Sequence, residues 1–235
     1  MKSNRRVNAA SCLLIMLAVA LGIPRVSAGA DLDQILKQME AIGKRFRSFK
    51  AHFAEKKYTA VLKEFDDYPL SGEFYYERAS DGSALLRQEI TKPAVNILTI
   101  KGGIAKIYQP SLKQAQLYSL GKNKDKAEYL ALGLGQSPAK LQQTFDLKAE
   151  GTEAVDGVPC SVLLLRPKDA SAAAYFSSIT LWITVSSGIP IQMKLQEPNG
   201  DYLLRSFSGE KLNAKISASM FEQKLPAGVE IQTIH

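Results

Sequence analysis

The chain has 235 residues, with 30 Lys and Arg against 23 Asp and Glu, 46% hydrophobic residues, two Cys, two His and one Trp. A hydrophobic share near the globular norm, with 23% charged residues, excludes a disordered, collagen-like or polytopic membrane chain. Two cysteines cannot by themselves build a disulfide-rich scaffold or a four-ligand zinc site, and two histidines leave little material for His-based metal chemistry, so most enzyme templates are poorly stocked and no cofactor is expected.

Residues 1–28 read as an export signal. Lys2, Arg5 and Arg6 form the positive start, Leu13 to Ile23 is an apolar run, and Val26-Ser27-Ala28 gives the small-x-small cleavage pattern. The run is shorter than the roughly 20 residues that a membrane-spanning helix needs. Cys12 precedes the apolar run, whereas a lipidated cysteine would follow it. Lys2, Arg5, Arg6 and Arg25 carry four of the seven net positive charges, so cleavage near Ala28 leaves +3 and no basic stripe. A nucleic-acid platform is therefore not expected. Cys160 remains alone, and the apolar flanks of its segment predict a buried strand thiol rather than a reactive one.

Residues 29–235 suit one β-rich domain. The first element is a helix: Leu32, Ile35, Leu36, Met39, Ile42 and Phe46 recur at helical spacing behind Asp31 as N-cap. The period then changes to two. Phe49, Ala51 and Phe53 alternate with polar residues, as do Ile179 to Val185 and Ile189 to Leu195. Turn signals at Ser71-Gly72, Asp81-Gly82, Gly102-Gly103, Asp156-Gly157, Ser187-Gly188 and Asn199-Gly200 divide the rest into about ten antiparallel strands. That pattern predicts a large curved sheet or barrel. One segment breaks the alternation: 125–134 reads as a helix, with Tyr129, Leu130 and Leu134 on adjacent turns. Ser137-Pro138 then opens a second short helix through Leu141.

No serine elbow, His-Glu-x-x-His, phosphate-binding loop or dinucleotide fingerprint is present. Gly133-x-Gly135 is too fragmentary to count. His52 is the sole histidine in the body of the domain and falls on the polar side of its strand, so a lipid-acting enzyme would have to rest on it. Asp66-Asp67 reads as a solvated hairpin tip. What remains is apolar surface. Val95, Ile97, Leu98 and Ile100, and Val162 to Leu165, are apolar on both strand faces, and the second face must either fill a core or line a cavity for an apolar ligand.

The order of elements resembles the LolA-type periplasmic carriers of outer-membrane lipoproteins over nearly the whole length after the signal. Ser48-Phe49-Lys50-Ala51-His52-Phe53-Ala54-Glu55-Lys56 is similar to that family's S-F-x-A-x-F-x-Q-K start, with Glu55 at the glutamine position. Gly72 to Arg78 resembles its G-x-[apolar]-x-x-[KE]-R strand. Thr91-Lys92-Pro93, Gly102-Gly103, Tyr108-Gln109-Pro110 with Gln114-Ala115, and Ala218 to Phe221 through Leu225 to Val229 follow the family's further motifs in order.

The resemblance implies an incomplete, half-open antiparallel β-barrel, mainly β with α, whose helices form a lid. It implies acyl chains in the apolar concavity, no covalent chemistry, a monomer, a LolCDE-like inner-membrane donor and a LolB-like outer-membrane acceptor. The family's latch arginine, which bonds lid backbone, corresponds to Arg78, although Ala79 replaces the family's following proline and leaves a looser turn at Ser80-Asp81-Gly82. By strand parity Phe74 and Tyr76 lie in the cavity beneath Arg78. Leu86 and Ile97 are expected to line it, and Tyr129, Leu130 and Leu134 to belong to the lid. Two further readings keep the fold. One changes the cargo to a glycolipid or polyketide-like molecule. The other is an envelope sensor, whose relatives carry an additional C-terminal domain that this chain is not expected to have.

Overall fold

A computed structural model describes residues 31–121 and 131–234. The export signal, Cys12, Tyr129, Leu130 and the greater part of the predicted helix at 125–134 lie outside the described residues.

Helix α1 (Leu32–Arg45) begins where Asp31 accepts a hydrogen bond from the Asp33 amide at 3.2 Å. Asp33 in its first turn and Lys44 and Arg45 in its last both oppose the helix dipole favourably. Its apolar spacing puts Ile35, Leu36, Met39 and Ile42 on one buried stripe, and Phe46 leaves in extended conformation, also buried.

Among the described residues thirteen strands form one sheet, three more than the turn signals suggest. They are β1 (Ser48–Thr59), β2 (Glu64–Phe65), β3 (Leu70–Arg78), β4 (Ala84–Lys92), β5 (Asn96–Lys101), β6 (Ile104–Gln109) and β7 (Gln114–Ser119). After helix α2 (Pro138–Thr144) come β8 (Phe145–Val155) and β9 (Val158–Pro167), then the single turn α3 (Ala170–Ala173). Strands β10 (Ser178–Thr184), β11 (Pro190–Gln196), β12 (Tyr202–Leu212) and β13 (Glu230–Ile234) complete it. The order is β13-β7-β6-β5-β4-β3-β1-β12-β11-β10-β9-β8, with β2 attached to β1. β8 and β13 are edges, so the sheet is open and not closed into a barrel. The pairs along it are antiparallel, with β1 joining the halves through β12, except that β13 runs parallel to β7.

Period-two alternation gives the sheet one face covered by helices and one outer face. Two apolar clusters fill the covered face. In the first, Ile35, Leu36 and Met39 of α1 pack on Leu163, Leu165, Ile179, Leu181 and Met193. In the second, Ile42 and Phe46 pack with Phe49, Phe53, Phe74, Tyr76, Leu86 and Phe207. Strand β9 is buried on both sides, since Val162 and Leu164 on its outer face are covered as well.

Three expectations are corrected. Ser71-Gly72 is no turn but lies inside β3, because a Cβ on Gly72 would stand 1.7 Å from the Glu89 carbonyl oxygen of β4. Only glycine permits that approach. Val95 lies in the bend between β4 and β5 and is exposed, so it lines neither face. The predicted helix does not reach Leu134: Leu132 to Leu134 form a turn, and Gly133 has φ +79°, which a right-handed helix excludes. The second helix starts as expected, with the Ser137 hydroxyl accepting from the Lys140 amide at 3.3 Å, and runs three residues past Leu141.

Cys160 is fully buried, with its thiol 3.4 Å from the Val158 carbonyl, and burial pushes its pKa up. The thiolate is the reacting form. A disulfide reagent at pH 8 is therefore expected to modify Cys160 at least a hundredfold more slowly in native protein than in denaturant, followed by absorbance of the released thiolate.

Candidate functional site

Arg78 ends β3, two and four residues beyond Tyr76 and Phe74 on the same face, so its side chain rises from the covered face at the edge of the apolar cluster. Its Nη1 donates to the Gly43 carbonyl of α1 at 3.2 Å, and its Nη2 donates to the Gly135 carbonyl in the segment before α2. The Gly43 carbonyl is one of the last four of α1, which have no partner within the helix. The guanidinium also stands 5.6 Å from the centroid of the Phe46 ring. One planar fork thus ties together two separate covering segments.

The link depends on small residues. Gly135 has φ +67°, and a Cβ there would lie 2.4 Å from Cγ of Phe46. A Cβ on Gly43 would come within 3.3 Å of the Gly135 oxygen. The sequence signal for this contact was the Gly133-x-Gly135 pair, which matches no nucleotide motif and here sets a close approach of backbone to backbone.

Beneath Arg78 the covered face is aromatic. Phe46 and Tyr76 have ring centroids 5.7 Å apart, and Phe49, Phe74 and Phe207 form a triangle with separations of 6.3, 5.4 and 5.5 Å. Leu86 stands opposite Tyr76 on β3 and Ile100 on β5, fully buried. Leu134 and Ala131 press into this cluster from the segment before α2, and Leu132 presses into the other. A cleft of about 390 Å³ opens at the seam between these parts, lined by Glu40, Gly43, Tyr76, Arg78, Gly135 and Lys140 among others.

Ile97 is placed otherwise than expected. It faces Glu89 across the ladder and shares the parity of Thr99, so it lies on the outer face, where its carbonyl accepts from Gln223 Nε2 at 3.3 Å. Its neighbour Leu98 packs against the covered cluster instead. Apolar residues in succession hid the parity, which only the pairing with β4 fixes. The expected Tyr129 and Leu130 contributions lie outside the described residues.

The turn after Arg78 holds without the family's proline. The Asp81 carboxylate accepts from the Ser83 amide at 2.9 Å and the Ser83 hydroxyl at 2.7 Å, and the hydroxyl bond above all keeps its pKa below the usual carboxylate value. His52 lies on the outer face, largely exposed and paired with Glu73. Among the described residues no group of three metal-ligating side chains converges, and no helix is long and apolar enough to cross a membrane.

Residues 44–224 match the family model described as outer membrane lipoprotein carrier protein LolA. An outer-membrane lipoprotein carrier protein of Pseudomonas syringae pv. syringae (strain B728a) is 23% identical over 217 residues, which are 92% of this chain and 96% of that protein. Among solved structures, an uncharacterized conserved protein from Thermus thermophilus superposes with a TM-score of 0.54 at 15% identity, covering 86% of this chain and 98% of that one. MucB superposes with a TM-score of 0.50 at 19% identity, over 85% of this chain. The match spans 64% of the MucB chain.

Proposed function

The chain belongs to the LolA family, and on that premise we propose that it is a periplasmic carrier which holds acyl chains on its covered face and carries them between membranes. Residues 29–235 act as one carrier unit after the signal is removed. The observation that carries this reading is the Arg78 link: α1 and the segment before α2 pack over a large apolar face and are tied to each other and to β3 by two hydrogen bonds from one arginine to backbone carbonyls. Once that tie is lost, what holds the cover is apolar contact, which acyl chains can replace.

In this reading Arg78 is the latch, Phe74, Tyr76 and Leu86 lie under the acyl chains, and Leu134 withdraws when cargo enters. The cargo is an acylated lipoprotein, taken from a LolCDE-like transporter and delivered to a LolB-like acceptor, and the carrier works as a monomer without covalent chemistry. The description of the family model and the name of the P. syringae relative support this assignment.

The test is direct. Protein purified from the periplasm of expressing cells should release acylated molecules on organic extraction, identified by mass spectrometry, and should move them from inner-membrane to outer-membrane vesicles. Protein that is consistently empty and transfers nothing would overturn the proposal. Intact cargo of glycolipid type would keep the carrier and replace the lipoprotein.

A further inference from the structure

The covered face is not apolar throughout. Arg205 of β12 stands opposite Met193 on β11 and Glu55 on β1, with the parity of Phe207, and is only 4% exposed. Its Nε and Nη2 both donate to Glu55 Oε2, at 2.8 and 2.7 Å. The guanidinium lies 5.2 Å from the centroid of the Phe53 ring. Its remaining nitrogen, Nη1, is buried without a hydrogen-bond partner among the described residues. A buried N–H of a charged group left unpaired is costly, and native proteins retain few such groups.

Two acceptors on the same face share this condition. Gln88 Oε1, between Phe74 and Leu98 in the ladder, and Asn96 Oδ1, opposite Ile90, are buried and unpartnered among the described residues. Bare hydrocarbon would leave all three unsatisfied. The Glu55–Arg205 pair is also already neutral. A ligand carboxylate would bring a second anion beside Glu55, whereas an uncharged carbonyl oxygen needs only the vacant donor. The pair sits toward the strand ends remote from Arg78, and beyond it Lys57 and Asp201 meet at 3.6 Å on the rim. A polar head could leave there while its chain runs under the lid.

We propose that Arg205 Nη1 is a binding donor for an uncharged acyl carbonyl, the ester or amide of an acylated lipid, and that the covered face, once opened, thereby selects esterified or amidated chains over free fatty acids and hydrocarbons. This deepens the carrier reading and rests on it. The test compares 1-monopalmitoylglycerol, palmitate and hexadecane, each delivered from cyclodextrin, as competitors of an uncharged naphthylamine dye. Wild-type protein is expected to bind the ester at least tenfold more tightly than either other ligand. The double variant Glu55→Gln/Arg205→Met removes both charges together, an exchange that buried pairs commonly tolerate. It should lose that tenfold preference and keep hexadecane affinity within twofold. As a measurement that needs no variant, the Arg205 side-chain nitrogen resonances of wild-type protein should shift with the ester and stay in place with hexadecane. Palmitate bound as tightly as the ester, an unchanged preference in the double variant, an equal loss for all three ligands or unmoved resonances would each overturn the proposal while leaving the carrier standing. Wild-type protein that binds none of the three would overturn the carrier reading and this one with it.

Discussion

Arg78→Leu is expected to take up acyl cargo as well as the wild type and to release it about tenfold more slowly, read as transfer of a fluorescent acylated peptide from the loaded protein to acceptor vesicles. The argument is one of differential stability. The arginine bonds Gly43 and Gly135 in the covered state, and these contacts are lost when the two segments part. Hydrogen bonds from a charged donor contribute about 1.5–3 kcal/mol each when buried. Arg78 is half-buried, so solvent screening reduces the two together to about 1.4 kcal/mol, which is tenfold in an equilibrium constant. Leucine also adds apolar surface at the cleft, which favours the loaded state further. Arg78→Lys should fall on the same side, because an ammonium cannot present two coplanar donors to two carbonyls. Wild-type release rates in both variants would dismiss the latch and leave the rest of the carrier reading in place.

The energetic reason for a latch lies in the size of the opposing terms. A sixteen-carbon chain gains on the order of 10 kcal/mol from burial at about 0.8 kcal/mol per methylene. Held on an empty apolar face, such a chain would be trapped. Covering the same face with Leu132, Leu134 and Phe46 recovers about 1.5–3 kcal/mol for each side chain. The covered empty state therefore offsets a large share of the ligand's gain. A fork of hydrogen bonds of about 1–2 kcal/mol is then large enough to shift the balance between loading and release.

Much of this was legible in the residues, and the failures have a common cause. Helical spacing behind Asp31 located α1, and Ser137-Pro138 located α2, because capping chemistry is local. Alternation placed Phe74, Tyr76 and Arg78 on one face for the same reason. Ile97, Val95 and Gly72 were misplaced because each depends on a partner strand. Ile97 and Leu98 are equally apolar, and only the ladder with β4 decides which is covered. Gly72 reads as a turn until the Glu89 carbonyl is seen against it. Arg205 gave no signal at all. An arginine in an alternating strand reads as outward, and its burial rests on Glu55, 150 residues earlier in the chain.

The glycine at position 72 has the largest predicted structural effect. Gly72→Ala would place a methyl group 1.7 Å from the Glu89 carbonyl oxygen and 2.8 Å from its carbonyl carbon, both backbone atoms that cannot swing aside. Strands β3 and β4 would have to separate at the register shift between Ser71 and Gly72, breaking ladder bonds on the covered side of the sheet. We expect a loss of about 3–4 kcal/mol, at the upper end for a single substitution, seen as a lower urea midpoint at unchanged slope. For a domain of this size that corresponds to a fall of roughly 6–15 °C in Tm. Gly82→Ala is the contrasting case: its φ of +81° strains any side chain, yet nothing lies within 4 Å of the added methyl. Strain alone should cost about 1–2 kcal/mol. Equal losses in the two variants would mean that backbone conformation, not the close approach of β3 to β4, fixes glycine at 72. Unequal losses of the predicted size would show the strand seam beneath Phe74, Tyr76 and Arg78 to be a rigid floor, against which a cover latched by one arginine can open without the sheet itself yielding.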